Sequence, residues 1–309
     1  MTVRTVLVAV GGNALVRGDE EASSEFERLR VAQTCRALAD VAAAGWRLLV
    51  THGNGPQVGA ALRRVELARS EVYPLPLDLC VAATQGEIGL LLQQELAAAL
   101  AARGVDRPVV TVVSQVVVAR HDRAFRYPTK PIGLPGFQRV VPSPEPLDIV
   151  EEPVIRALVD AGVVVIALGG GGVPVVRCGA RYEGVEAVVD KDLASALLAA
   201  RLGVDLFVML TGVDGIYLDF ATPMARRLRD VTAAELRRHA AEGQFPPGTM
   251  GPKVEAARRF VTAGAGEAIV TSPDRLLAAL EGEAGTRVFH ETYSDCSCRP
   301  GAASLAPSV

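Results

Sequence analysis

Three apolar runs in this chain each stop on a cluster of glycines, and that pairing restricts the fold more than any other feature. Val3 to Val10 closes on Gly11-Gly12-Asn13, Arg47 to Thr51 leads into Gly53-Asn54-Gly55-Pro56, and Val163 to Leu168 ends in Gly169 to Gly172. Short runs rich in β-branched residues suit strands buried on both faces. Helical patterns separate them: Ser24 to Ala44, with Ser23 or Ser24 as N-cap, Gln57 to Arg69 opened by Pro56, and the long Ala- and Leu-rich stretch Leu77 to Ala102. Strand and helix alternate, which predicts parallel pairing with right-handed crossovers.

Further along, Pro108 to Val118 reads as a β-branched strand, and 119–146, dense in Pro, Gly and charge, as an excursion from the sheet. A helix near Glu151 to Ala161, a β-hairpin through Arg177 to Val189, a helix Asp190 to Leu202 and a strand Leu206 to Leu210 follow. Helices at Ala233 to Ala241 and Val254 to Ala263 and strands at Glu267 to Val270 and Thr286 to Phe289 complete the pattern. The expected fold class is α/β, a three-layer α/β/α sandwich around an open, mainly parallel sheet. Residues 1–200 form an N-terminal lobe with a projecting arm at about 119–146, 201–293 a smaller C-terminal lobe, and 294–309, rich in Ser, Ala, Pro and Gly, a disordered tail. In such sheets ligands bind beyond the carboxyl ends of the strands, where the glycine clusters lie.

Composition narrows the partners. With 32 basic against 35 acidic side chains and a net charge of −3, the 309-residue chain has no field to gather nucleic acid or an anionic membrane surface. No apolar stretch reaches the roughly 18 charge-free residues of a membrane helix, and the N-terminal run lacks a signal-peptide cleavage site, which predicts a cytoplasmic protein. Five cysteines, scattered except for Cys296 and Cys298, argue for reduced thiols, and neither they nor the four histidines show metal-ligand spacing.

Lysine is the sharper signal. It occurs only at Lys130, Lys191 and Lys253, so the other 29 of the 32 basic residues are arginine. A position that keeps lysine in such a chain is a candidate for a compact ammonium that a planar guanidinium cannot replace. Glycine loops bring backbone N–H groups close to a ligand, and a following helix adds its positive end, so the three loops together predict an anion cradle at one edge of the sheet. Lys191 and Asp192 fall at the start of a helix beyond the third loop. Lys253 opens another helix, where a cation opposes the helix dipole unless an anion is bound. Gly53-x-Gly55-x-x-x-Gly59 approximates a dinucleotide fingerprint but lacks the acidic ribose ligand at the end of a following strand, and a Walker loop is excluded because no lysine follows a glycine.

Taken in order, Val10-Gly-Gly-Asn-Ala-Leu15, Thr51-His-Gly-Asn-Gly-Pro-Gln-Val-Gly59, Gln85-Gly-Glu-Ile-Gly89, Pro128-Thr-Lys-Pro-Ile-Gly133, Val141-Pro-Ser-Pro144, Gly169-Gly-Gly-Gly-Val-Pro174, Gly184 to Ser195, Leu210-Thr-Gly-Val-Asp214 and Gly248-Thr-Met-Gly-Pro-Lys253 resemble the carbamate kinases of the amino acid kinase family, over about residues 3 to 290. The resemblance implies reversible phosphoryl transfer between ATP and carbamate, with magnesium and a homodimeric assembly, and commonly the formation of ATP from carbamoyl phosphate. It assigns Gly11, Gly12, Asn13, Gly53, Asn54, Gly55, Gly170 and Gly171 to the carbamate and the transferring phosphoryl group. Lys191 and Lys253 would neutralise phosphate oxygens, Asp192 would organise them, and Lys130 would reach in from the arm. Thr211, Gly212, Val213, Asp214, Tyr217 and Met250 would line the nucleotide pocket. No protein metal ligand is assigned.

Phosphoryl transfer suits this inventory, because it demands positioning and positive charge more than a nucleophilic side chain. One departure stands out. Only Leu134 to Val140 separates the Pro128–Gly133 and Val141–Pro144 motifs, so the arm is expected to be little more than a loop. That keeps two alternatives in view: a related kinase acting on another small carboxylate or carbamate, and a non-catalytic nucleotide-binding regulatory module.

Overall fold

A computed structural model describes residues 3–11, 24–134 and 136–291, so that Gly12, Asn13 and the expected tail lie outside the described residues. The first apolar run forms the strand Thr5–Val10, buried from Val6 onward. It lies within an eight-stranded sheet ordered Asp230–Thr232, Thr286–Phe289, Glu267–Thr271, Leu206–Leu210, Thr5–Val10, Arg47–His52, Val164–Ala167, Val109–Thr111. Every neighbouring pair is parallel except Glu267–Thr271 with Thr286–Phe289. Leu206–Leu210 is laddered directly to Thr5–Val10, so the sheet runs unbroken from the N-terminal to the C-terminal part of the chain.

Alternate residues along the central strands supply the two apolar faces. Val6, Val8, Val10, Leu48, Val50, Val208 and Leu210 pack under the helices Ser24–Ala43, Leu77–Ala101 and Leu276–Leu280. Leu7, Ala9, Leu49, Phe207 and Met209 pack under Glu152–Asp160, Lys191–Leu202 and Met250–Thr262. The rings of Phe207 and Phe260 meet edge-on on that second face, with centroids 5.5 Å apart. Each such fully buried side chain contributes about 1.5–3 kcal/mol relative to exposure. The expected three-layer α/β/α sandwich around a mainly parallel sheet is what forms. Among the described residues no helix is long and apolar enough to cross a membrane.

Four local expectations need correction. Pro108 to Val118 is not one strand: Val109–Thr111 belongs to the main sheet, whereas Gln115–Val117 joins a second sheet with Asp148–Ile149, Val173–Cys178 and Arg181–Gly184. The break falls at Ser114, whose N–H and C=O are taken by the Gln85 side chain at 2.9 and 3.0 Å. The hairpin expected through Arg177 to Val189 begins at Val173, turns at Gly179 and stops at Gly184. The helix expected from Val254 begins at Met250, so Lys253 lies within its first turn.

The fourth correction concerns the arm. It contains the short helix Arg123–Arg126 and an antiparallel hairpin, Lys130–Leu134 with Phe137–Val141. The hairpin is seated on the helix Gly55–Ala68, with Ile132 buried in a small cluster with Val58 and Val81. A Cβ on Gly59 would collide with the Gly133 backbone. Gly59, the last glycine of the fingerprint-like spacing, is therefore where the arm lies against the helix, which removes the dinucleotide reading of that glycine.

Candidate active site

The parallel strands Thr5–Val10, Arg47–His52, Val164–Ala167, Leu206–Leu210 and Glu267–Thr271 all end on one edge of the sheet. The glycine loops therefore converge. Gly53 donates its N–H to the Val10 carbonyl, and Gly170, at φ +66, lies so close to Asn54 that a Cβ would collide with the amide. Gly11 adjoins the Leu210 carbonyl, 2.9 Å from where its own Cβ would stand. Asn54 is the N-cap of the helix Gly55–Ala68 but makes no side-chain cap bond. Its amide instead donates to Thr84 Oγ1 at 2.9 Å. Of the predicted cradle, the described residues bring together Gly11, Gly53, Asn54, Gly55, Gly170 and Gly171.

His52 closes the floor of this cradle. Its Nδ1 lies 3.0 Å from the Gly53 carbonyl, which can only accept, so Nδ1 carries the proton. Burial lowers the imidazole pKa to about 4, and the nearby Lys191 charge acts in the same direction. His52 is thus a neutral, orientation-locked ring at neutral pH. Thr51, the residue before it, shares a 2.7 Å hydrogen bond with Ser195, both fully buried, and so ties the strand to the helix Lys191–Leu202.

That helix begins with the site's charged groups. Asp190 is its N-cap, and one carboxylate oxygen accepts from the N–H groups of Asp192 and Leu193 at 2.9 and 3.3 Å. The other accepts from Lys130 Nζ at 2.9 Å. Two residues on, Asp192 is 3 % exposed, with Lys191 Nζ at 2.7 Å from Oδ1 and Lys253 Nζ at 2.9 Å from Oδ2. All three lysines of the chain thus converge on two carboxylates separated by one residue. The anion expected beside Lys253 is supplied by the protein itself, as Asp192.

Burial lowers the Lys191 pKa, while the Asp192 carboxylate beside it works to keep the ammonium charged. For Asp192 itself, burial pushes the carboxyl up, but the two ammonium groups outweigh it and hold it well below the usual carboxylate range. The result is a buried, fixed anion with a cation on each oxygen. Two ammonium groups on one carboxylate leave this cluster with a net positive charge.

The nucleotide-side candidates occupy the neighbouring strand ends. Thr211 donates its N–H to the Thr271 carbonyl at 2.9 Å, and Thr211, Gly212, Val213 and Asp214 continue from Leu210 as a partly exposed turn. Asp214 accepts from Tyr217 Oη at 2.7 Å and pairs with Arg227. The Tyr217 hydroxyl and the Arg227 guanidinium hold its carboxyl below the ordinary value. Met250 opens the helix that carries Lys253 and packs partly against the core. Sequence reasoning passed over the Asp190 contact to Lys130, the Thr51–Ser195 bond and the Asn54–Thr84 bond. Only the first left a trace, because Asp190 stands at an N-cap position.

The amino acid kinase family model matches residues 4–272. A carbamate kinase of Thermococcus kodakarensis is 42% identical over 316 residues, spanning 94% of this chain and 100% of the relative. The carbamate kinase-like protein YahI of Escherichia coli is 43% identical over 311 residues, spanning 92% and 98%. Among solved structures, carbamate kinase from Giardia lamblia bound to AMP-PNP superimposes with a TM-score of 0.90 at 35% identity, covering 94% of this chain and 99% of that one.

Proposed function

The chain belongs to the amino acid kinase family, and from that membership we propose that it is a carbamate kinase, moving a phosphoryl group reversibly between ATP and carbamate. The observation that carries the reading is the convergence of all three lysines on Asp190 and Asp192 beside the glycine loops. Phosphoryl transfer needs positive charge held in place while negative charge spreads over the equatorial oxygens. Lys191 and Lys253 meet those oxygens, and Asp192 aims both ammonium groups and favours the charged form of Lys191. Lys130, latched to Asp190, brings a third cation from the arm.

In the direction of ATP consumption, a carbamate oxygen attacks the γ-phosphorus, the bond to the β,γ-bridging oxygen breaks, and ADP departs with the electron pair. No proton moves, because the attacking oxygen is already anionic. That explains a site whose one histidine is neutral and turned to a backbone carbonyl. Gly11, Asn54, Gly55 and Gly170 hold the carbamate and phosphoryl oxygens through backbone N–H groups, Gly53 and Gly171, whose N–H groups are taken by the Val10 and Leu168 carbonyls, let the loops approach that closely, and Thr211 to Asp214, Tyr217 and Met250 receive the nucleotide. Among the described residues no three His, Cys, Asp or Glu side chains gather as a metal cage, and Asp190 and Asp192 are both engaged by lysines. The magnesium implied by the family is accordingly assigned to the nucleotide's own phosphates, whose charge it offsets. A homodimer and a role in arginine metabolism rest on the family resemblance, and a cytoplasmic setting and a division into lobes near residue 200 on the sequence pattern.

A second reading has its own support. Aligning 316 positions engages only 94% of this 309-residue chain, so the relative from Thermococcus has segments with no counterpart here, in keeping with a shortened arm. YahI, at similar identity, is named only as carbamate kinase-like. Both observations favour, as the alternative, a kinase for another small carboxylate or carbamate. ATP formation from ADP and carbamoyl phosphate, run beside acetyl phosphate, separates the two. Faster turnover of acetyl phosphate would overturn the carbamate assignment, and no ATP from either would overturn phosphoryl transfer to a small acid.

A further inference from the structure

The Gln85–Gly89 motif plays no part in the chemistry above, yet its first residue and the one before it lie directly under the site. Helix Leu77–Ala101 is apolar on nearly every side, with Leu92, Leu96 and Leu100 fully buried. Thr84 and Gln85 interrupt it as a buried polar pair, 0 % and 1 % exposed. Burying polar side chains among apolar neighbours is unfavourable unless each finds a partner. Their partners are not each other. Successive helix positions point about 100° apart, so the two side chains reach different neighbours.

Thr84 reaches the loop after Arg47–His52. Its hydroxyl donates to the Val81 carbonyl at 2.8 Å, which leaves its lone pair to accept from Asn54 Nδ2 at 2.9 Å. The Asn54 amide is thereby set flat against Gly170. Gln85 reaches the loop after the adjacent strand Val164–Ala167, in two ways. Its Cγ lies where a Cβ on Gly169 would come within 2.9 Å, and its amide grips both backbone groups of Ser114. The Ser114 hydroxyl donates to the Val112 carbonyl and accepts from Leu168 N–H at 3.1 Å. Leu168 has φ +50, unusual for a non-glycine residue, and it begins a stretch in which Gly170, Gly171 and Gly172 also have positive φ. A backbone of that kind has many competing conformations and holds one only when restrained from outside.

We infer that Thr84 and Gln85 are positioning residues for the phosphoryl cradle, Thr84 acting through Asn54 and Gln85 through Ser114 and Leu168. This rests on the reading that the two glycine loops hold the transferring group. One polar step on one helix thereby sets the geometry of both loops at once.

The test compares the non-hydrolysable ATP analogue AMP-PNP with ADP, by calorimetry on the full chain. Only the analogue places a γ-phosphoryl group in the cradle, so the ratio of the two affinities reads the loops without any acceptor. Thr84→Val keeps the shape and removes the acceptor for Asn54. It is expected to weaken AMP-PNP about tenfold, the scale of one buried hydrogen bond, with ADP affinity unchanged. Thr84→Ser restores the ratio, and Gln85→Met acts like Thr84→Val. An unchanged ratio in Thr84→Val, or an equal loss for AMP-PNP and ADP, overturns the inference in favour of plain structural support. If Gln85→Met fails to fold, the Thr84 pair still decides. Failure of the wild-type chain to make ATP from carbamoyl phosphate would overturn the acceptor assignment and leave this comparison standing.

Discussion

Asp192→Asn removes one charge and almost no volume, which makes it the sharpest perturbation of the site. In the folded protein the carboxylate is 3 % exposed and takes an ammonium group on each oxygen, at 2.7 and 2.9 Å. The amide accepts on one side only. On the other it turns N–H groups towards a lysine, and both cations lose the charge that offset their mutual repulsion. Breaking a buried ion pair by removing one partner costs about 3–5 kcal/mol. At a urea slope of about 3 kcal/mol per molar, fitting a chain of this size, the midpoint should fall by about 1–1.7 M. Turnover should fall by at least 10²–10³, the scale for a misdirected transition-state donor. The double variant Asp192→Asn with Lys253→Met should be more stable than Asp192→Asn alone, because it removes one of the stranded charges. Urea unfolding followed by circular dichroism, with kcat on the same preparations, reads both effects. A single variant within about 1 kcal/mol of wild type and within tenfold in kcat would refute the account of Asp192 as the anion that holds the lysines.

Three further outcomes are expected. Burial depresses Lys191 below the ordinary lysine value of 10.5 in the ligand-free protein, so kcat/KM should decline along an alkaline limb centred below that value, and a limb at or above it would count against Lys191 as the charged group. Lys130→Ala should lower kcat less than Lys191→Ala while raising KM for carbamoyl phosphate, since Lys130 is partly exposed and held through Asp190. Equal kcat losses with KM unchanged would make the arm a full catalytic element. His52 falls from 6.5 to about 4 on folding, so the unfolded chain binds the proton first and stability should drop as pH falls through that window, by about 3 kcal/mol in all. His52→Gln should flatten that slope in acid unfolding curves, and an unaltered slope would refute the assignment.

How much of this was legible depended on whether the signal was local. Val3 to Val10 and Val163 to Leu168 read as buried strands because their composition alone excludes water, and the glycines beyond them marked the edge where ligands bind. The lysines stood out because the chain uses arginine elsewhere. What escaped were relations between distant residues. Nothing near Lys130 points to Asp190, 60 positions away. Thr84 and Gln85 look like ordinary helix residues until their neighbours in space are known. The break at Ser114 was hidden because Val112 and Val116 are equally good strand formers, and a glutamine from another element turns the chain between them. The arm read as a loop because proline and glycine dominate it, although its cross-strand pairs on the helix Gly55–Ala68 make it a hairpin.

The uninterrupted sheet has a mechanical consequence for how two substrates meet. Gly11 follows the strand Thr5–Val10 and Thr211 follows Leu206–Leu210, and these strands are joined rung by rung from Val6–Leu206 to Ala9–Met209. The loop proposed for the acceptor and the loop proposed for the nucleotide are therefore separated by one strand spacing, about 4.8 Å, a length fixed by backbone hydrogen bonds. That spacing works as a ruler. In-line transfer requires reacting atoms about 3–3.5 Å apart, and a swing of one half of the molecule against the other would shear the ladder that sets this separation. The Lys130–Val141 hairpin forms a sheet of its own, so this ladder does not fix its position relative to the two loops.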